Sequence, residues 1–170
     1  SLVGRSALDW LYGGFGNDQL WGGGGADQLH GDDGDDVIYG QAGDDFLFGH
    51  AGNDTLLGES GRDTVRGFDG NDRIFGGEHD DFLYGENGLD TNYGEAGNDT
   101  ISGGYHNDVL VGGLGDDQIY GDYGDDRLVG SPGNDRLEGF FGADSLYGEE
   151  GIDLLRGQGD NDLLRGGAGN

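Results

Sequence analysis

A histidine flanked by acidic residues is the first feature of this sequence that could do chemistry. His79 follows Glu78 and precedes Asp80 and Asp81, in the segment "GGEHDDFLYG" at residues 76–85. Imidazole and carboxylate groups this close in sequence can bind a metal ion or act as an acid–base pair. The wider pattern around the segment decides whether His79 has such a role.

An aspartate recurs every nine residues along the chain. Eighteen complete nonapeptides run from Gly4 to Arg165 without insertion or deletion, and the sixth position of every one is Asp. Position five varies among Asn, Asp, Ala, Arg, Leu and Ile, as expected where polar side chains simply bond the local backbone of a turn. The strict position six instead predicts metal ligands. The candidate ligands are Asp9, Asp18, Asp27, Asp36, Asp45, Asp54, Asp63, Asp72, Asp81, Asp90, Asp99, Asp108, Asp117, Asp126, Asp135, Asp144, Asp153 and Asp162.

The other repeat positions indicate how these aspartates are held. Position one is always Gly, and position four is Gly except at Ala7, His79, His106 and Asp160. We expect both glycines to adopt positive φ in tight turns. Positions seven to nine alternate out, in and out, which predicts a three-residue strand with position eight inward. Position eight is aliphatic except at Asn92, a buried amide that is costly unless it finds a partner.

Turn and short strand, repeated, predict a coil with 18 residues per circuit. Odd and even units then form two parallel sheets that pack through their position-eight residues. We therefore expect an all-β solenoid, a single domain over residues 1–170, and a rod about 45 Å long. Because the end units are partial and the chain has no initial Met, we also expect it to be part of a longer protein.

The nonapeptide resembles the repeats-in-toxin (RTX) motif, G-G-x-G-x-D-x-U-x, over essentially all residues of the chain. The resemblance implies a right-handed parallel β-roll with calcium held between the turns of successive circuits. It further implies that the position-six carboxylates and turn carbonyls are the ligands. Export from a Gram-negative bacterium by a type I system, with a final location outside the cell or at its surface, also follows from the resemblance.

Elementary electrostatics also favours calcium. Odd-unit aspartates would line one edge of the coil and even-unit aspartates the other, each about 5 Å from the next, where like charges repel. A divalent cation between two neighbouring aspartates replaces this repulsion by attraction. Calcium accepts six to eight oxygen ligands, whereas magnesium requires a rigid octahedron and zinc prefers Cys and His. Two files of nine aspartates have room for up to about sixteen calcium ions, so we expect folding and binding to be coupled.

Composition excludes several other functions. The chain has 35 acidic residues against 8 basic ones, and its net charge of -27 repels nucleic acid and anionic membranes. It lacks Cys and any apolar run near the roughly 18 residues of a membrane span. The four histidines, His30, His50, His79 and His106, occupy unrelated repeat positions, and no hydrolase or zinc-protease motif is present. We predict a calcium-binding folding module that is not an enzyme.

The outward position nine leaves two interpretations open. Its aromatic and aliphatic residues either pack along the sheet or form an apolar stripe for a partner domain, a sister rod or a glycan. Charge interrupts the odd row, so we expect any interface on the even one. Open solenoid ends are a second route to assembly, in which rods stack into fibres or a surface layer. The even row is Trp21, Tyr39, Leu57, Phe75, Tyr93, Val111, Val129 and Tyr147; the odd row is Tyr12, His30, Phe48, Arg66, Tyr84, Ser102, Tyr120 and Glu138.

Overall fold

A computed structural model gives the fold of residues 1–169. These residues form nineteen β-strands, which alternate along the chain between two sheets. None of them lies in a helix long and apolar enough to cross a membrane. The even sheet contains β1 (Leu2–Val3), β3 (Gln19–Gly24), β5 (Val37–Ala42), β7 (Thr55–Ser60), β9 (Arg73–Glu78), β11 (Thr91–Ala96), β13 (Val109–Leu114), β15 (Arg127–Pro132), β17 (Ser145–Glu150) and β19 (Leu163–Arg165). The odd sheet contains β2 (Trp10–Phe15), β4 (Gln28–Asp33), β6 (Phe46–Ala51), β8 (Thr64–Asp69), β10 (Phe82–Asn87), β12 (Thr100–Tyr105), β14 (Gln118–Tyr123), β16 (Arg136–Phe141) and β18 (Leu154–Gln158).

All strand pairs are parallel and join residues eighteen apart. Leu83 of β10, for example, pairs with Val65 of β8 on one side and Ile101 of β12 on the other. Since each strand pairs with the second strand before and after it, one circuit comprises two nonapeptides. The predicted β-solenoid of two parallel sheets is confirmed, with about nine turns.

Position eight forms the hydrophobic core between the sheets. Fourteen aliphatic side chains of this core row are completely buried, from Leu20 to Leu146, and Leu2, Leu11 and Leu155 pack against them at the ends. Asn92 occupies the same row and is also fully buried. Its Nδ2 donates a hydrogen bond of 3.3 Å to the carbonyl of Ser102, but its Oδ1 has no partner. The predicted cost of an amide in the core is thus only partly offset.

The strands are longer than predicted. Most contain six residues, because pairing between coils continues through positions one to three instead of stopping at position nine. In β10 the paired residues include Glu86 and Asn87, at positions two and three, besides Leu83 and its neighbours. The prediction of a three-residue strand was therefore wrong. Positions one to three, which were expected to belong to the turn, have extended backbone and continue the strand.

The position-one glycines do not have positive φ, contrary to expectation. Positive φ occurs instead at every position two from Gly14 to Gly167, twelve of which are not Gly, such as Phe68 at 79°. Position four behaves as predicted except at Ala7 and Gly133. Position one is Gly for lack of space, since a Cβ on Gly76 would lie 2.5 Å from Oδ2 of Asp81 and 2.8 Å from the carbonyl oxygen of Gly94.

Candidate metal centres

The position-six aspartates form two continuous files, one along each edge of the solenoid. In each file the backbone N–H of one Asp donates to Oδ1 of the Asp eighteen residues later, at 2.7–3.1 Å. Sixteen such bonds join all eighteen aspartates, with Asp9 starting the odd file and Asp18 the even one. The structure therefore brings together every neighbouring pair that the nine-residue period predicted.

In fourteen of these aspartates the second carboxylate oxygen has no protein partner. Fourteen of the aspartates are at most 2% exposed, and in each of them Oδ2 is buried without a hydrogen bond. A bare, buried carboxylate oxygen is costly unless a cation compensates it. The fourteen are Asp27, Asp36, Asp45, Asp54, Asp63, Asp72, Asp81, Asp90, Asp99, Asp108, Asp117, Asp126, Asp135 and Asp144.

Eleven of the fourteen bare Oδ2 atoms lie against the position-one glycines of two coils. The point where a Cβ of Gly76 would stand is close both to Oδ2 of Asp81, in the same unit, and to the carbonyl oxygen of Gly94, in the next coil. The same arrangement recurs at Gly40, with Asp45 and Gly58. A carboxylate oxygen and a backbone carbonyl oxygen thus flank a small space at position one. The Cβ of any other residue would fill this space, so only glycine leaves it open.

Burial also makes these carboxylates hard to ionise in the absence of metal. Desolvation raises the pKa of Asp81 to about 8, against an ordinary 3.8; the bond from the Asp63 backbone opposes the shift, and the charges of Asp63, Asp99 and Asp80 add to it. Burial likewise raises the pKa of Asp108 to about 8 and that of Asp72 to about 7. A bound cation would remove the reason for these shifts, because it favours the charged form.

The donor set fits calcium. Within residues 1–169, no three His, Cys, Asp or Glu side chains converge to hold a metal ion. Each turn offers one buried carboxylate, so most of the ligands of a metal would be backbone carbonyls. Hard oxygen donors of this mixed kind suit calcium, which tolerates many ligands and irregular geometry, better than zinc or magnesium.

Comparison with known families decides the identity of these repeats. The model of the RTX calcium-binding nonapeptide repeat (4 copies) matches residues 3–38, 21–56, 30–65, 57–91, 66–101, 90–119, 102–137, 120–155 and 138–170. The chain belongs to the RTX calcium-binding repeat family. A comparison with curated proteins finds no match. As an RTX array, the chain is a calcium-binding repeat module.

A second ladder of side chains in the RTX array was not predicted. Position-five Asp and Asn accept hydrogen bonds from the backbone of the next coil, as Asn98 donates its N–H to Oδ1 of Asp80 at 2.7 Å. Oδ1 of Asn98 in turn accepts the N–H of Asp116 at 2.8 Å. Position five was expected to bond only its own turn. The sequence contained an indication of this ladder, since Asp or Asn occupies position five in most units.

His79 fits the RTX turn at the cost of an unusual backbone conformation. Its φ is 86°, in the left-handed region that the glycine of other units adopts, and its N–H still bonds the carbonyl of Ala96 at 2.7 Å. Asp81 keeps both of its ladder bonds, to Asp63 and Asp99, at 2.8 Å. The segment that resembled an active site is a regular RTX turn with one substituted residue. Because a residue other than Gly is strained at this φ, we predict weaker metal binding at this turn.

Contacts between positions nine and two were also missed from the sequence. His30 and His50 occupy different positions of the repeat, so the sequence did not suggest a contact between them. On the odd sheet, Nδ1 of His30 lies 3.0 Å from Nε2 of His50. The same offset of twenty residues joins Arg66 to Glu86 at 3.5 Å. Position nine of one coil therefore contacts position two of the following coil, across the outer surface.

The two position-nine rows of the RTX roll are similarly half-buried, apart from the exposed Tyr12 and the buried Glu138. In the even row Trp21 stacks on Tyr39 and Phe75 stacks on Tyr93, at 5.6 and 5.2 Å between ring centroids, and Arg127 lies over Tyr147. Packing along the sheet thus accounts for this row, and self-association through it stays a prediction. Exposed apolar side chains are concentrated on the odd sheet instead. They are Trp10, Tyr12, Phe15, Phe46, Phe82, Tyr105, Tyr123, Phe141 and Leu154.

Proposed function

We propose that this RTX array is a folding module of a secreted protein, disordered without calcium and ordered by it, and that it is not a catalyst. The observation that carries the proposal is the bare Oδ2 on fourteen buried aspartates. Unbound, these groups must either stay charged in a desolvated site or take up protons. Calcium removes this conflict, so binding and folding become one equilibrium.

The position-six carboxylates, together with carbonyls of the position-one glycines, would hold the ions. Each site would lie between two aspartates that are neighbours in a file, such as Asp63 and Asp81. The two files then have room for up to about sixteen ions, whose charge of about +32 exceeds the net charge of -27. The chemistry supplied by calcium is electrostatic: it joins consecutive coils and replaces repulsion within each file by attraction.

Secretion follows from the same coupling. A chain that stays unfolded where calcium is scarce can be exported and then fold outside the cell, where weak sites are saturated. Family membership supports export by a type I system and a final location outside the cell or at its surface. The alternative, a repeat protein whose rods assemble into fibres or a layer, has no support from the comparisons.

Circular dichroism tests the coupling. We expect a disordered spectrum in chelator, a β-rich spectrum on addition of calcium, and full reversal by excess chelator. Magnesium at the same concentration is the control and should give little β-structure, because it binds reluctantly to carbonyl-rich sites. A β spectrum that persists after exhaustive chelation at about pH 8, where the buried carboxylates lose their protons, would contradict the proposal.

A further inference from the structure

The segment "GENGLD", residues 85–90, contains an asparagine directly followed by a glycine, Asn87 and Gly88. An asparagine in this setting is chemically labile, because the backbone nitrogen of the next residue can attack the side-chain amide and glycine has no side chain to hinder it. The other asparagines within residues 1–169 are followed by bulkier residues. Seven of them stand at position five before the position-six Asp, and Asn92 precedes Tyr93.

The repeat does not allow Gly88 to be replaced. It stands at position four with a φ of 153°, and a Cβ there would overlap the carbonyl oxygen of Gly70 in the preceding coil. The residue at position three therefore decides whether this turn contains a labile pair, and the other eighteen-residue neighbours in the row, Asp69 and Tyr105, carry no amide. The side chain of Asn87 is exposed, so water can reach it.

The folded roll keeps the two reacting groups apart. Asn87 pairs through its backbone with Asp69 of β8 and with Tyr105 of β12. The N–H of Gly88 donates to the carbonyl oxygen of Tyr105 at 3.3 Å, and Nδ2 of Asn87 donates to Oδ1 of Asp69 at 2.9 Å. The Gly88 nitrogen cannot turn towards Cγ of Asn87 until these bonds break, so the reaction requires opening of the coil.

We propose that Asn87 is a deamidation site whose reactivity is controlled by the fold. In the unfolded chain the nitrogen of Gly88 forms a bond to Cγ of Asn87, and the bond from Cγ to Nδ2 breaks. Nδ2 leaves as ammonia and takes the proton of the Gly88 N–H with it. The resulting cyclic imide takes up one water molecule and opens to aspartate or to isoaspartate, in which the main chain passes through the side-chain carbon.

Either product disturbs the coil. Aspartate at this position sets a carboxylate against Oδ1 of Asp69, so a hydrogen bond is replaced by repulsion. Isoaspartate lengthens the main chain by one carbon just before Asp90, whose Oδ1 accepts the N–H of Asp72 at 2.8 Å and whose Oδ2 is bare. The added carbon displaces Asp90 from its file. The resulting loss of calcium binding rests on the proposed function, whereas the chemistry at Asn87 does not.

Incubation of the chain in calcium, in chelator, and in chelator with urea tests the site. Peptide mass spectrometry and methylation by an isoaspartate methyltransferase measure the conversion. We expect conversion of Asn87 at least about tenfold faster in urea than in calcium, with the seven position-five asparagines unchanged. Equal rates at Asn87 in urea and in calcium, or equally fast conversion at position five, would overturn the proposal.

The chelator sample separates this proposal from the coupling of folding to calcium. If the chelated chain unfolds, Asn87 should react in it about as fast as in urea. A chelated chain that stays β-rich, with Asn87 protected, would contradict the coupling, while the comparison of urea with calcium still decides the proposal at Asn87.

A longer amide provides the matched variant. Asn87→Gln keeps an amide at this position but must close a ring one atom larger, so conversion in urea should fall at least about tenfold. Asn107→Gln, at position five before Asp108, should leave the rate at Asn87 unchanged. After incubation in urea and return to calcium, the converted chain should need more calcium to fold than Asn87→Gln treated alike. An undiminished rate in Asn87→Gln would contradict the site, and equal calcium titrations would contradict its effect on Asp90.

Discussion

At the scale of the residue, the position-six carboxylate divides its two oxygens between two tasks. Oδ1 accepts the backbone N–H of the preceding coil, which any buried acceptor could do. Oδ2 is buried without a partner beside a carbonyl of the next coil. The first oxygen sets the position of the side chain, and the second carries the charge that calcium would neutralise.

Replacing one carboxylate should separate these tasks. In Asp81→Asn the side-chain oxygen can still accept the Asp63 N–H, but the charged oxygen is lost. We expect fewer calcium ions per chain and a higher calcium concentration at the folding midpoint, because a neutral amide is a weaker ligand. Metal analysis of the loaded protein and a calcium titration by circular dichroism measure both.

The adjacent aspartate is the matched control for this substitution. Asp80→Asn keeps the oxygen that accepts the N–H of Asn98, on the exposed turn. It should leave the calcium content unchanged. Equal effects of the two substitutions would show that Asp81 contributes only general negative charge.

The buried carboxylates should also give the metal-free chain an inverted pH dependence. Burial raises the pKa of Asp81 and Asp108 to about 8 and that of Asp45, Asp117 and Asp126 to about 7, above the ordinary 3.8. The folded form therefore holds these protons more tightly than the unfolded chain. Its stability is fully present below about pH 4 and is lost as the pH rises through about 6 to 8.

Circular dichroism in chelator across pH 4 to 8.5 checks this dependence. We expect the β signal to be largest at the acid end and to fall towards pH 8. With calcium the trend should reverse, since protons compete with the metal for the same oxygens. A metal-free spectrum that does not change with pH would contradict the assignment of raised pKa values.

At the scale of the element, each strand contributes one inward residue, so a single core position carries most of the packing of a coil. Asn92 in β11 is the departure, between Ile74 and Leu110 in the core row. One of its amide groups is satisfied by the carbonyl of Ser102, and the other is not. This coil should therefore be the least stable in the interior of the array.

Replacing the amide by an aliphatic side chain should stabilise the roll. Asn92→Leu restores the core row and removes the unsatisfied oxygen, with an expected gain of about 1–3 kcal/mol in the free energy of unfolding. Thermal unfolding at fixed calcium concentration measures it. The reverse substitution, Leu110→Asn, is the control and should destabilise. A lower melting temperature for Asn92→Leu would indicate a partner for Oδ1, such as a buried water.

At the scale of the whole molecule, the negative charges along the two edges of the solenoid decide whether the coils can close. The aspartate files lie on opposite edges of the solenoid, and both extend along its whole length. Repulsion within them opposes closure of the coil everywhere at once. Calcium acts on every pair of coils, so the transition should involve the entire rod.

Small-angle X-ray scattering should show this transition as a change in size. The radius of gyration should fall from about 44 Å for the chelated chain to about 15 Å for the calcium-loaded rod. Sodium chloride should shrink the chelated chain only partly, because screening weakens repulsion without joining the coils. A compact chelated chain, or full compaction by sodium chloride alone, would contradict calcium-driven folding.

Much of the fold follows from the nine-residue period. A strict repeat with one inward aliphatic residue has few ways to bury it, and stacked coils that pair like positions are the simplest. The two sheets, the core row and the neighbours in each aspartate file, such as Asp63 and Asp81, were therefore predictable. The family resemblance rested on the same regularity.

The sequence by itself determined which residues become neighbours, and the tertiary structure alone decided how they face one another. The period places Asp81 beside Asp99 but does not say which oxygen receives the N–H and which stays bare. Positive φ at position two, against the expected position one, depends on how tightly adjacent coils approach at each glycine. The contact of His30 with His50 depends on the direction of side chains along the solenoid axis. Such directions arise from packing between coils, and a linear repeat does not encode them.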